Sequence, residues 1–379
     1  MVLPKIYQLY LSANLILPFL MGTFFFVSFL MTFEMIRILS LVSLETIEPA
    51  FLIGLMADVA LTLTPIAIPM ALFFSTVFSV SRLSSDSEYI ALRAAGINKK
   101  GVYLPFLLVA FIVALNSYFL SQNLIPGAHA RVRKKIKILT STSLIEGIKS
   151  GQFFTRFPGM TLFPRELDDN KKMVDVFLSS TDPKEKTEKV IWARSGKILH
   201  EKNEKTGVES LSLWLKDGNM VTIQSGEKEN LEKVIFDEYT LPIREQKFSY
   251  RTTTKEIMMN TKQLNRFIAE GIEGAIKKGY KEKDYYNARY EYWNRWNNTL
   301  LCLILGLVGF TLGVGSNRGR SKNPTAKAIL VLIAYFMVFF ALVSGARSGS
   351  YPAWLAIGIA DVALLGFGLF NFKKIDWMA

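Results

Sequence analysis

The few residues able to do chemistry in this sequence lie mostly where a charge is costly. Asp58 and Asp361 each fall inside a long apolar run. An acid at the centre of a bilayer costs about 2.5–3.5 kcal/mol, so it normally faces a cavity, water or a partner. Asp58 stands near the start of its run, where a wet interface accounts for it. Asp361 is closer to mid-run, but one acid without a second titratable group makes a poor proton relay. Glu34 and Arg37 close another apolar run and, three apart, share one helix face. Two readings of that pair stay open: an interfacial ion pair with a snorkelling Arg, or a polar patch at the mouth of a lipid cavity that meets phosphorylated headgroups.

The stretch from Ser81 to Lys100 is the most informative polar segment between apolar runs. Ser85 and Glu88 have the spacing of a capping box, and Gly96 is a helix stop. About ten residues between them are expected to form a short helix. Tyr89, Leu92 and the Ala95/Gly96 end share one face, with Asp86, Glu88 and Arg93 offering charge elsewhere. Such an element is either a solvated linker or the piece by which a membrane subunit docks on a soluble partner.

Signatures of catalysis are missing from the sequence. There is no phosphate loop of the G-x-x-x-x-G-K-[ST] type, no H-E-x-x-H and no G-x-S-x-G elbow. The run beginning at Gly313 is glycine-rich, but it leaves an apolar segment and lacks a strand–helix setting. His129 and His200 are isolated, and the single cysteine, Cys302, excludes an intrachain disulfide and a cysteine metal cluster. The chain is therefore expected to be no enzyme, to hold no cofactor and no metal, and to take any ATP-derived force from a partner.

The elements that position these residues follow from where the charges lie. Half of the 379 residues are hydrophobic, only 20% are charged, and mean hydropathy is +0.25. Residues 127–296 nevertheless hold 32 of the 45 Lys/Arg and 24 of the 32 Asp/Glu. The chain is an apolar frame interrupted by one polar domain, which excludes a soluble globular enzyme and a disordered chain. The net charge of +13 is spread out, with no aromatic-interleaved basic stripe. That favours anionic lipid or an anionic partner over nucleic acid.

Six segments are long enough to cross a bilayer, which takes about 20 apolar residues. They fall at roughly 10–33, 50–80, within 101–128, 296–317, 328–346 and 352–372. A cleavable signal peptide is not expected, because the first run is too long and lacks a small-residue cleavage site. With the N-terminus inside, the short inner segments carry eleven Lys/Arg, among them Lys5, Arg82, Arg318, Arg320, Lys322 and Lys374. The short outer segments carry two, Arg37 and Arg347, and the first outer loop is acidic at Glu45 and Glu48. Both termini are then cytoplasmic. This divides the chain into residues 1–126 with three spans, an outer domain over 127–295, and residues 296–379 with three more. Strand-like alternation around Met173, Lys189, Leu211, Met220 and Val234 predicts an antiparallel β domain. Turns are expected at Thr181–Pro183, Arg194–Lys197, Lys216–Asn219 and Gln224–Gly226. Residues 261–295 read as a helical return.

Several segments resemble one family. Ser87-Glu88-Tyr89-Ile90-Ala91-Leu92-Arg93-Ala94-Ala95-Gly96 resembles the S-E-x-x-x-x-R-A-x-G coupling segment of the LptF/LptG permeases. Ile68-Pro69-Met70-Ala71-Leu72-Phe73 is similar to their second-span motif. The run Ala288 to Arg295, with Glu291, is similar to the A-E-x-x-x-R stretch before their fourth span, and Gly151-Gln152-Phe153 to the start of their outer domain. Met35-Ile36-Arg37-Ile38-Leu39 is closer to LptF than to LptG, although Glu34 stands where a basic residue is expected.

The resemblance implies a fold of six transmembrane helices with an inserted periplasmic antiparallel β-jellyroll. It implies a permease subunit of the ABC transporter that extracts lipopolysaccharide from the outer leaflet of a Gram-negative inner membrane. The implied partners are a cytoplasmic LptB-like ATPase dimer, an LptG-like second permease, and LptC-like and LptA-like jellyroll proteins. Carried onto this chain, Asp86, Glu88, Tyr89, Leu92, Arg93 and Gly96 form the ATPase-coupling interface, and Glu34 and Arg37 belong to the lipid cavity. The alternatives are the LptG paralogue and a membrane-anchored periplasmic ligand sensor. A sensor would need an inner signalling domain, for which the inner segments are too short. An intramembrane enzyme would need convergent titratable groups.

Overall fold

The computed structural model describes residues 3–39, 49–146, 148–155, 159–168, 172–182, 187–202, 209–224, 230–242, 255–314 and 324–375. The acidic loop at Glu45 and Glu48, the basic residues Arg318, Arg320 and Lys322, and the turn residues Pro183 and Gly226 lie outside them. The chain divides into two compact units: residues 1–37, 49–134 and 251–379, and residues 38–48 and 135–250.

The first unit is helical. Helix α1 (Leu3–Leu39) is followed by α2 (Pro49–Ser85), the short α3 (Glu88–Ala94) and α4 (Lys99–Phe119). One π-helical turn (Leu120–Leu124) then joins α4 to α5 (Ile125–Glu146) without a break. After the β unit come α6 (Thr261–Ala269), α7 (Gly271–Lys277), α8 (Glu282–Gly313), α9 (Pro324–Arg347) and α10 (Ala353–Lys374). Six of these stretches are long and apolar enough to cross a membrane, as the sequence predicts: Ile6–Leu39, Pro49–Ser85, Lys99–Leu139, Glu282–Gly313, Pro324–Arg347 and Ala353–Lys374.

Several helices overrun the expected spans. At 1.5 Å per residue, the 37 residues of α2 reach about 55 Å, well past a hydrocarbon core of about 30 Å. Pro65 and Pro69 do not end α2. Helix α8 starts fourteen residues before Trp296, so the fourth crossing and the end of the helical return are one rod. Apolar residues of α2, α8, α9 and α10 pack in one cluster that includes Phe73, Leu305, Val308 and Ile357. A second cluster joins Leu11 and Leu15 of α1 to Leu72, Phe106 and Phe310.

The second unit carries a five-stranded antiparallel sheet: β1 (Met160–Leu167), β2 (Met173–Asp182), β3 (Thr187–Lys202), β4 (Glu209–Gln224) and β5 (Asn230–Pro242). Neighbours in the sheet follow one another along the chain. Alternation puts Leu162, Val176, Leu178, Ile191, Ala193, Leu213 and Leu215 on one buried face. The opposite face keeps Trp192 half exposed.

Two expected turns are instead inside strands. The Arg194–Lys197 signal lies in β3 and the Lys216–Asn219 signal in β4, so Leu211–Leu215 and Met220–Ile223 belong to one strand. At this level the cross-strand pairing skips Arg194 and Asp217 but resumes in the same register. Asp175 (φ 50°) and Asp217 (φ 52°) take the left-handed conformation there. The sheet is therefore creased across its width rather than turned. A Cβ at Gly218 would lie 2.5 Å from the Trp192 carbonyl oxygen and from the Phe236 ring, which is why the fold of the crease takes glycine.

Candidate coupling and lipid-contact sites

The segment between α2 and α4 is shorter and tighter than expected. Helix α2 runs through Ser85, so Ser85 cannot cap the next helix. Ser87 precedes α3 in the left-handed conformation (φ 61°) with no side-chain cap bond, and α3 has seven residues. The reason is the reversal itself: Asp86 N–H bonds the Arg82 carbonyl and Ser87 N–H the Ser84 carbonyl, which winds the chain tightly before α3 begins. The stop at Gly96 is as expected, with φ +86° and bonds from Gly96 N–H to the Arg93 carbonyl and from Ile97 N–H to the Leu92 carbonyl. Arg93 Nη1 reaches the Ile97 carbonyl at 3.4 Å, and Asn98 caps α4 through Gly101 N–H at 2.7 Å.

The six residues singled out in this segment do not share one outward face. Tyr89 is buried, and it packs with half-buried Leu92 against Val102, Phe106 and Phe310. Those two side chains hold α3 to the membrane unit. Asp86 lies 3.6 Å from Arg82, one helical turn earlier. Glu88 accepts the Tyr10 hydroxyl at 3.0 and 3.1 Å, through both carboxylate oxygens. Ile90, Ala91 and Ala94 are exposed on the other side of α3.

At the other end of α1, Glu34 and Arg37 form an ion pair of 2.7 Å. Arg37 keeps 40% of its side-chain surface exposed, and Glu34 keeps 21%. Asp58 does not fit the expectation of a wet interfacial acid. It is buried and pairs with Arg131 of α5 at 2.7 Å. A carboxylate taken out of water needs a close cation, and the basic stretch after the third span supplies it. Asp361 is also buried, and it accepts the Tyr335 hydroxyl at 2.9 Å.

Arg295 is a buried cation with four partners. It is 2% exposed and donates to Glu291 at 3.0 Å, to the Met259 carbonyl at 2.8 Å, and to the Ile257 carbonyl and Thr261 hydroxyl at 3.3 Å each. Thr261 in turn donates to Gln122 in the π turn. The clamp fixes α6 and the short helical turn at 255–258 onto α8. Among the described residues no group of acids, histidines and cysteine is placed to hold a metal ion.

Nothing in the sequence marks Tyr10, Ser79, Arg131 or Thr261 as site residues. Each is an ordinary polar residue whose partner lies far along the chain, and no local spacing marks it.

Family comparison decides what this frame is. The family model described as lipopolysaccharide export system permease LptF/LptG matches residues 9–374, nearly the whole chain. The chain belongs to the LptF/LptG permease family. LptF/LptG proteins are permease components of a lipopolysaccharide exporter rather than catalytic enzymes, and this member is a multi-pass inner-membrane protein. The match does not separate LptF from LptG. A Rickettsia prowazekii (strain Madrid E) protein, "Uncharacterized protein RP871", is 22% identical over 158 residues, 42% of this chain and 44% of its own length. The match thus spans less than half of that relative.

Proposed function

We propose that this chain is the LptF-type permease subunit of an ABC transporter that extracts lipopolysaccharide from the outer leaflet of the inner membrane. The observation that carries this reading is the whole-chain family match, joined to a chain without a phosphate-binding loop. Both termini and α3 lie in the cytoplasm, and the β unit lies in the periplasm, as the Lys/Arg asymmetry requires. An ATPase dimer docks on the exposed face of α3 and on Glu88. A second permease completes the lipid cavity, with Arg37 at its mouth as a bidentate donor to a headgroup phosphate. ATP hydrolysis in the partner collapses the cavity and drives lipid toward the apolar face of the β sheet and on to periplasmic jellyroll partners. The Met35–Leu39 stretch supports LptF over LptG.

Gentle-detergent purification of the tagged chain tests this. The expected result is co-purification of an ABC ATPase and a second six-span permease, with ATP hydrolysis in the eluate. A chain that elutes alone from membranes expressing all subunits contradicts the reading.

A further inference from the structure

The coupling helix is joined through Glu88 to the first spanning helix, at residues that belong neither to the coupling motif nor to the Glu34–Arg37 pair: Tyr10, Asn14, Pro18 and Ser79. Helix α1 contains Pro18. Proline has no N–H, so the carbonyl of Asn14, four residues earlier, loses its bond in the helical ladder. Ser79 of α2 takes over, donating its hydroxyl to the Asn14 carbonyl at 3.0 Å. Four residues before Asn14, the Tyr10 hydroxyl meets both carboxylate oxygens of Glu88 in α3. A cavity of about 260 Å³ lies beside this junction, lined in part by Tyr10, Asn14, Pro18, Ser79, Arg82 and Glu88. The inner end of α1 therefore has space to shift.

The rest of α1 is loosely held. Only 6% of its most apolar stretch is buried, against 61% in α8. Leu11 and Leu15 are fully buried, on either side of the Asn14 level. They supply a pivot. Beyond Pro18, Met21, Phe24, Phe25, Phe29 and Phe33 are more than half exposed. Further along, Phe26 stacks on Phe74 of α2, and Met35 and Ile38 are buried near the far end. A helix seated at Leu11 and Leu15, broken in its ladder there and lightly packed between these contacts has the mechanics of a lever.

We infer that Tyr10 is a positioning residue that ties α1 to the coupling helix at Glu88, and that Pro18, Asn14 and Ser79 form the joint on which α1 swings. Displacement of α3 by a docked ATPase then moves the far end of α1, where Glu34 and Arg37 lie. The inference deepens the permease reading and rests on it. Helix α3 has only seven residues, and its buried Tyr89 seats it against α4, so it needs a contact of this kind to act on α1.

The test uses the complete permease–ATPase complex in proteoliposomes carrying lipopolysaccharide, with ATP hydrolysed and lipid released measured in one sample. Tyr10→Phe keeps the ring and removes the hydroxyl. It should leave assembly and hydrolysis near wild type and lower lipid released per ATP about ten-fold, the worth of one hydrogen bond to a charged group. Tyr10→Lys, which restores a donor to Glu88, should recover part of the loss. Ser79→Ala should give a smaller fall in the same ratio. An unchanged ratio in Tyr10→Phe overturns the inference, as does no recovery with lysine. Lost assembly in Tyr10→Phe also overturns it, because the contact is then a brace. If the wild-type complex releases no lipid at all, the permease reading itself has failed.

Discussion

Helices α1 and α8 both cross the membrane unit and both are apolar, yet they are used in opposite ways. Helix α8 is a pillar. It packs against α2, α4, α9 and α10, and 61% of its apolar stretch is buried. Its glycines admit close neighbours: a Cβ at Gly309 would lie 2.9 Å from the Phe73 carbonyl oxygen, and one at Gly313 2.7 Å from the Val80 Cβ. Its polar end is locked by Arg295. Helix α1 instead presents large side chains outward, with Phe24 77% exposed. Lipid is as apolar as a protein core, so apolar composition alone does not say which helix is buried. Small residues and paired polar ones carry that information. The more apolar of the two is the more exposed, and pillar and lever differ chiefly in where Gly, Ser and charge are placed.

The contrast gives an ordered set of tests. The largest effect belongs to the pillar. Arg295→Ala takes from the largely covered Glu291 its ion-pair partner and removes donors from two carbonyls, at a cost of about 3–5 kcal/mol. A thermal melt of the purified protein should drop sharply, and an unchanged midpoint would remove the clamp from the account. Next comes the tie of the lever. Glu88→Lys places a cation where the ATPase is proposed to supply one, costing about 2–5 kcal/mol at a buried pair. ATPase co-purification should fall while Glu88→Gln keeps more of it, and a charge reversal on the ATPase should partly restore binding. Normal binding of Glu88→Lys would leave α3 a linker.

Gly309→Ala is smaller, about 1–3 kcal/mol, because α2 must back away from the new methyl group. A melt as stable as wild type would show that the helices adjust freely. Arg37→Ala at the tip of α1 should change stability least, by about 0–1 kcal/mol for a partly exposed pair. Photocrosslinking to lipopolysaccharide should nevertheless weaken with assembly intact. Unchanged crosslinking would return Arg37 to an ion pair with Glu34 and nothing more.

Much of the frame was legible because membrane crossing is written in local composition. The six spans, the β domain, the helical return and the stop at Gly96 all follow from short windows of sequence. The failures have one physical origin. The Ser85 capping box was a correct spacing overruled by the winding of Arg82–Ser87, and the Arg194 and Asp217 turn signals mark a crease that paired strands hold together. Asp58 finds its cation 73 residues away and Tyr10 finds Glu88 across 78. Such choices are made by packing, and no window of sequence contains both partners.

The central claim is that this chain moves lipopolysaccharide with force supplied by an ATPase partner. Right-side-out membrane vesicles carrying the complete complex, given ATP inside and a soluble periplasmic acceptor outside, measure it directly as lipopolysaccharide appearing on the acceptor. The account predicts ATP-dependent transfer that disappears when this chain is absent and falls with Glu88→Lys. Transfer of equal rate without this chain, or without ATP, would contradict it.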